Sequence, residues 1–263
     1  MNSFKYEEIG GFTFKGVEFS QDSFNVIAGP CTIENYQDLK EIALQLQSMG
    51  INLFRGGAYK MRTSPYSFQG LGKKGLEYIK KVSLETGMIS VSEIVSKEDL
   101  PLMQDYVDIL QVGTRNMYNF RLLSALGEVK NPILLKRGMS STIEEWLLAA
   151  EHIIQAGNPR VILCERGIRT FENYTRNTLD ISAVCAVKQL SKLPIIVDPS
   201  HSSGRREMIK SLSWAAVAAG ANGLMIETHF CPDETVCDSR QTVTLELLRE
   251  ILKPIDQLRS AWK

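Results

Sequence analysis

The chain has 263 residues, a length normal for one α/β barrel and enough to bury most of its apolar surface. Its 30 lysines and arginines balance 30 aspartates and glutamates. A formal net charge of +0 argues against a general nucleic-acid or membrane-surface binder and leaves any charge argument to local clusters. No signal peptide and no bilayer-spanning apolar run is visible, and the five unevenly spaced cysteines read as those of a reduced, cytoplasmic protein that uses at least one of them for chemistry or metal.

In chain order, Phe12 to Phe19 alternates aromatic positions around Lys15-Gly16, which predicts a small β-hairpin able to plug one end of a barrel. It lies in an N-terminal extension, residues 1–22, ahead of a repeating region, residues 23–263. Strand one is Asn25 to Ala28. It stops at Gly29-Pro30-Cys31, before a helix that starts near Asn35, with Asp38 as capping partner and Leu39, Ile42, Ala43, Leu46 and Met49 as its apolar stripe. Strand two, Asn52 to Arg55, is followed by the long loop GGAYKMRTSPYSFQGLG and a helix near Gly75 to Thr86. Strand three is Met88 to Glu93, after which Ser96, with Asp99, caps a short helix. Strand four is Asp108 to Val112, with a helix over Asn119 to Leu126. Strand five, Pro132 to Lys136, leads to a capping box at Ser141-Thr-Ile-Glu144 and a helix with Trp146, Leu147, Ala150, Ile153 and Ile154 on one face. Strand six is Arg160 to Cys164, then a helix near Leu179 to Leu190. Strand seven is Pro194 to Val197, before a helix carrying Met208, Ile209, Leu212 and several alanines. Strand eight is Gly223 to Ile226, with a last helix from near Thr242.

Eight continuously apolar β runs alternating with helices favour a (β/α)8 TIM barrel. A doubly wound open sheet is the alternative, but no Gly-x-Gly-x-x-Gly follows any strand. Function in a barrel sits where strands hand over to helices. There the chain places Arg55, Lys60, Arg62, Arg115, Lys136, Arg137 and Arg166, a density of cations suited to phosphate and carboxylate oxygens. Cys31 follows strand one, His201 follows strand seven, Glu227 ends strand eight and Asp238 lies in the loop beyond. Strands seven, eight and one are neighbours in a closed barrel, so these side chains can meet around one divalent ion, with Mn2+, Fe2+, Co2+ and Zn2+ all compatible. Cys164 and Cys185 read as core residues and His152 as solvated.

Ala28-Gly-Pro-Cys-Thr-Ile-Glu34, Arg55-Gly-Gly-Ala-Tyr-Lys-Met-Arg-Thr-Ser64, Gln111-Val-Gly-Thr-Arg-Asn116, Leu135-Lys-Arg-Gly138, Cys164-Glu-Arg-Gly167, Asp198-Pro-Ser-His-Ser-Ser-Gly204 and Gly223-Leu-Met-Ile-Glu227 follow one another at nearly every strand end. Together they resemble 3-deoxy-D-arabino-heptulosonate 7-phosphate (DAHP) synthase, in the short barrel-only branch close to 3-deoxy-D-manno-octulosonate 8-phosphate synthase. The resemblance implies a barrel that condenses phosphoenolpyruvate with erythrose 4-phosphate in the first step of the shikimate pathway, as a homotetramer or homodimer. It implies a metal held by Cys31, His201, Glu227 and Asp238, with Lys60, Cys31 and His201 at the chemistry. Lys60, Arg115, Lys136 and Arg166 would hold phosphoenolpyruvate, with Arg55 on the same wall. Arg62, Thr63 and Ser64 match the segment for the sugar phosphate, and Asp198 matches a polar residue lining the site.

The chain departs from the family at Met61, where proline is usual, and in the loop 229–240, where Cys237-Asp238-Ser239-Arg240 replaces the usual Ser-Asp-Gly-Pro. The alternatives are the octulosonate synthase, which takes arabinose 5-phosphate, an amino-DAHP synthase paralogue and a non-catalytic phosphosugar-binding barrel. Lys60-Met-Arg-Thr-Ser64 and Asp198-Pro-Ser-His201 favour the four-carbon sugar over the five-carbon one. About 22 residues precede the barrel, too few for an added regulatory domain, so inhibition by free aromatic amino acids is not expected.

Overall fold

In a computed structural model of the chain, which describes residues 4–62 and 64–260, eight parallel strands close into a barrel. A short helix α1 (Lys5–Glu8) precedes an antiparallel hairpin of β1 (Phe12–Phe14) and β2 (Val17–Phe19). The barrel then runs β3 (Asn25–Gly29), α2 (Tyr36–Ser48), β4 (Leu53–Arg55), α3 (Lys73–Thr86), β5 (Ile89–Ile94) and α4 (Leu100–Tyr106). It continues with β6 (Ile109–Val112), α5 (Phe120–Leu126), β7 (Ile133–Lys136), α6 (Ile143–Gln155), β8 (Val161–Glu165) and α7 (Ile181–Leu190). It ends with β9 (Ile195–Val197), a short α8 (Pro199–Ser203), α9 (Arg206–Ala218), β10 (Gly223–Glu227), α10 (Leu245–Leu252) and α11 (Ile255–Ser260). Strand β10 pairs with both β9 and β3, which closes the ring.

The period of two along each strand sorts side chains between two cores. Ile27, Leu53, Ile109, Leu134, Ile162, Ile196 and Met225 face the lumen, whereas Ile133, Leu135, Leu163 and Ile195 face the helices. The expected hairpin forms, with Lys15 and Gly16 both at positive φ (47° and 79°), as a tight hairpin turn of matching twist requires. It plugs one end of the barrel: Phe19 is buried in the lumen cluster, and Phe12, Phe14 and Val17 pack on it. Lys15 pins the hairpin to Asp108 at 2.5 Å, and Asp108 also accepts from the Ser90 backbone and hydroxyl and from Ser83.

Several sequence expectations shift by a residue or change face. Helix α2 starts as expected, with the Asn35 side chain accepting from the Asp38 amide. The capping box of α6 is Thr142 with Glu145, one residue beyond the expected Ser141–Glu144 pair. Ser141 instead bonds back to the Gly138 carbonyl, closing the turn after β7. Ser96 is not the cap of α4; Asp99 occupies that position, and Ser96 donates to its carboxylate. Cys185 is exposed on α7 rather than buried, because Val184 and Val187 carry the inward face. Cys164 is buried in the lumen, as expected, and His152 is exposed, with its ring 4.6 Å from that of Phe120. No helix among the described residues is long and apolar enough to cross a membrane.

Candidate active site and metal centre

The C-terminal ends of β9, β10 and β3 stand side by side, and each delivers one donor. Strand β3 ends at Gly29, whose φ of +142° and close approach to β4 leave no room for a side chain, since a Cβ would lie 2.3 Å from the Arg55 carbonyl oxygen. Pro30 and Cys31 follow directly. Strand β9 gives way to Asp198, which caps the short helix α8 by accepting from the His201 amide at 2.9 Å and so sets His201 on the first turn. Strand β10 terminates on Glu227 itself. Asp238 comes from the following loop at a positive φ of 54°. One ligand atom from each of Cys31, His201, Glu227 and Asp238 lies within 4.8 Å of all the others.

Cys31 Sγ donates to Asp238 Oδ2 at 2.8 Å, and His201 Nε2 lies 3.1 Å from Glu227 Oε1. The imidazole is aimed by its other nitrogen, with Nδ1 2.7 Å from Asp198 Oδ2, an arrangement typical of metal-ligating histidines. Gln241 donates to the second oxygen of Glu227 at 2.6 Å, and Arg55 to the first at 2.8 Å. Lys60 Nζ donates to Cys31 Sγ at 2.7 Å.

The charges respond to one another. Burial alone would raise the Glu227 carboxyl, but His201 and Arg55 hold it well below the usual carboxylate range. Burial likewise opposes ionisation of Asp198, yet His201 and Lys136, the latter 2.5 Å away, keep it depressed. Burial would lower the Lys60 ammonium, but Cys31 beside it raises it. The Cys31 thiol is pushed well up by burial and then by Glu227, against the pull of Lys60. One thiol, one imidazole and two carboxylates converging in this way form a possible metal-binding group, and the set suits a borderline divalent ion.

Above this cluster opens a cavity of about 320 Å³. Of the expected site residues, Arg55, Lys60, Arg62, Ser64, Arg115, Lys136, Arg166, His201 and Asp238 line it. Asp198 is fully buried behind the wall, between Lys136 and His201. Thr63 lies outside the described residues. Arg137 does not join the cavity lining. It points outward into the helix layer and bonds Glu165, Asp180 and the Ser141 carbonyl. Strand parity explains this, since Leu134 and Lys136 face inward and their neighbour must face out. Several groups in or beside the cavity were not foreseen, three of them charged or bonded to the donor group. Arg176 reaches in from the loop after β8 and pairs with Asp238 at 3.4 Å; Glu93, on β5, lines the cavity; Gln241 holds Glu227. Glu93 was legible as the last residue of the expected third strand. Arg176 and Gln241 sit deep in long loops, where no periodicity marks an inward side chain.

A (β/α)8 barrel whose C-terminal mouth sets a thiol–imidazole–dicarboxylate group under a wall of cations belongs with barrels that handle phosphorylated anions. More particularly, the chain belongs to the DAHP synthetase I family, whose model matches residues 13–263. It is 51% identical over 245 residues to the phospho-2-dehydro-3-deoxyheptonate aldolase of Thermotoga maritima, covering 93% of this chain and 72% of that protein. The crystal structure of the Thermotoga maritima DAHP synthase superposes with a TM-score of 0.93 at 47% identity, over 98% of this chain and 78% of that one. A 2-dehydro-3-deoxyphosphooctonate aldolase from Desulfatibacillum aliphaticivorans is more distant, at 30% identity over 254 residues, covering 90% of this chain and 92% of that protein. The resemblance read from the strand-end motifs is borne out, and the octulosonate alternative is the remoter of the two.

Proposed function

We propose that this chain joins phosphoenolpyruvate to erythrose 4-phosphate. Carbon 3 of the enol phosphate bonds to the aldehyde carbon, water adds at carbon 2, and inorganic phosphate leaves by carbon–oxygen cleavage to give DAHP. The observation that carries this reading is that the Cys31–His201–Glu227–Asp238 group meets, through His201 and Asp238, a cavity also lined by Arg55, Lys60, Arg62, Arg115, Lys136 and Arg166. Two phosphorylated anions held side by side need that many cations. The family match and the Thermotoga relative's name support the same reaction.

Cys31, His201, Glu227 and Asp238 would hold one divalent ion, which supplies Lewis-acid polarisation of the aldehyde oxygen when bound. Arg115 and Arg166 take the phosphate of phosphoenolpyruvate, with Lys136 and Arg55 on the same wall. Lys60, an ammonium 2.7 Å from Cys31 Sγ, stands where it stabilises charge developing on the aldehyde oxygen and delivers a proton to it. Arg62 and Ser64, which line the cavity, take the sugar phosphate, and the same role is proposed for Thr63 between them in sequence. Asp198 steers His201 and Lys136 rather than touching sugar, a role supported by its full burial between them. The five free cysteines fit a reducing cytoplasm, and assembly as a homodimer or homotetramer is read by light scattering.

Steady-state kinetics with both sugars tests the substrate pair. Erythrose 4-phosphate should exceed arabinose 5-phosphate in kcat/KM by about a hundredfold, ~3 kcal/mol at the transition state. Arg62→Ala should raise KM for the sugar more than for phosphoenolpyruvate, and Arg166→Ala the reverse. A preference for the five-carbon sugar, or equal effects of both variants on both substrates, contradicts the assignment.

A further inference from the structure

Arg137 and Glu165 form a buried ion pair on the outer side of the barrel wall, at 4% and 0% side-chain exposure. They occupy the face on which Leu135 and Leu163 pack against helices. Replacing such a pair with apolar residues of similar volume commonly costs nothing in stability, so packing alone does not account for it. Its place does. Lys136 and Arg166, two of the cavity cations, are the sequence neighbours of Arg137 and Glu165 on adjacent strands, β7 and β8. The ladder between those strands extends to the Arg137 amide, which donates to the Cys164 carbonyl at 3.0 Å.

The guanidinium fastens the loop after β7 to both ends of the loop after β8. It donates to Glu165 Oε2 at 2.9 Å, to Asp180 Oδ2 at 2.8 Å and to the Ser141 carbonyl at 3.1 Å. Asp180 in turn caps α7. The other oxygen of Glu165 accepts from the Gly167 amide at 2.5 Å, so one side chain spans Arg166 and closes a turn around it. Gly167 holds a φ of +88°, and a Cβ there would meet Asn177 Cβ at 2.9 Å, which leaves that turn little freedom. Arg166 points the opposite way, into the cavity, and donates to the His201 carbonyl at 3.0 Å.

We infer that Arg137, through Glu165 and Asp180, is a positioning residue that sets the height and direction of Lys136 and Arg166 for the enol phosphate. The inference rests on the proposed phosphoenolpyruvate site. Its test is two-substrate kinetics with unfolding temperatures on the parent, Arg137→Lys, Arg137→Met/Glu165→Met and Arg166→Ala. The double variant removes both buried charges together, and Arg137→Lys keeps the charge without the fork. The expected result is a folded double variant with KM for phosphoenolpyruvate raised about tenfold or more, KM for the sugar within about twofold, and Arg137→Lys in between. A folded double variant with all constants within about twofold of the parent overturns the inference. So does an equal change in both KM values, or failure of both Arg137 variants to fold, which would make the network a requirement of the fold. If Arg166→Ala leaves KM for phosphoenolpyruvate unchanged, the substrate assignment itself fails and takes this inference with it.

Discussion

At the N-terminal end of the barrel lumen, Phe19 lies 2% exposed among Ile27, Leu53, Ile109, Leu134 and Met225. At the C-terminal end of the same lumen, Glu227 and Asp198 are fully buried as carboxylates, ringed by Arg55, Lys136 and His201. The same strands build both ends. Leu134 and Lys136 are two residues apart on one face of β7, one in an apolar plug and the other in an ion cluster. The bottom gains stability by removing apolar surface from water. The top carries a concentration of buried charge that would be unfavourable without its partners. A protein assembled this way should lose function at one end and stability at the other.

The sharpest break in that comparison is expected at the mouth. Cys31→Ala removes one of the four donors and should lower kcat/KM by about a thousandfold or more, roughly 4 kcal/mol at the transition state, while circular dichroism and the unfolding temperature stay close to the parent. Metal content measured on the same sample should fall with it.

The opposite pattern is expected at the plug. Phe19→Ala should destabilise the fold by about 3–5 kcal/mol in denaturant unfolding, through lost burial and the cavity left behind, with the kcat of the folded fraction near that of the parent. A stable but inactive variant would mean that the plug reaches the chemistry.

A smaller effect sharpens the picture of how the plug is fastened. The Asp108 carboxyl is held below its ordinary value: burial opposes this, but Lys15 and the Ser90 bonds prevail. Its folded pKa lies below its unfolded one, so the unfolded state binds the proton first and the contribution favours folding at neutral pH. That contribution should be complete above the ordinary aspartate pKa of 3.8 and shrink as the pH falls below it, through the depressed folded value. The stability gap between the parent and Asp108→Asn, about 1–2 kcal/mol at neutral pH, should therefore narrow in acid. A gap that stays constant down to about pH 2 would assign the effect to packing.

Much of both ends was legible in the sequence because apolar runs, caps and strand ends are local signals. The eight strands, the hairpin and the strand-end positions of Cys31, His201 and Glu227 follow from them, whereas Asp238, in the long loop after β10, has no such local signal. What the sequence hid was direction and reach. Arg137 stands at a strand end like Lys136, but a single step in strand parity turns it outward to Glu165. Counting alternate positions from Leu134 would have shown this. Asp198 was expected to line the site, and helix α8 instead folds it behind His201. Arg176 and Gln241 come from loops whose course depends on tertiary packing, so no spacing rule places them at Asp238 and Glu227. Cys185 turned out exposed because α7 uses Val184 and Val187 as its inward face.

A divalent ion held by the donor group at the mouth is expected to be required for the condensation. The direct measurement is phosphate release from phosphoenolpyruvate and erythrose 4-phosphate by protein stripped of metal with chelator, before and after a single divalent ion is added back. The expected result is no turnover in the stripped sample, recovery with Mn2+ or a similar ion at one equivalent per chain, and no recovery in Cys31→Ala at that stoichiometry. Full turnover in a thoroughly stripped sample, with metal content confirmed by elemental analysis, would contradict it.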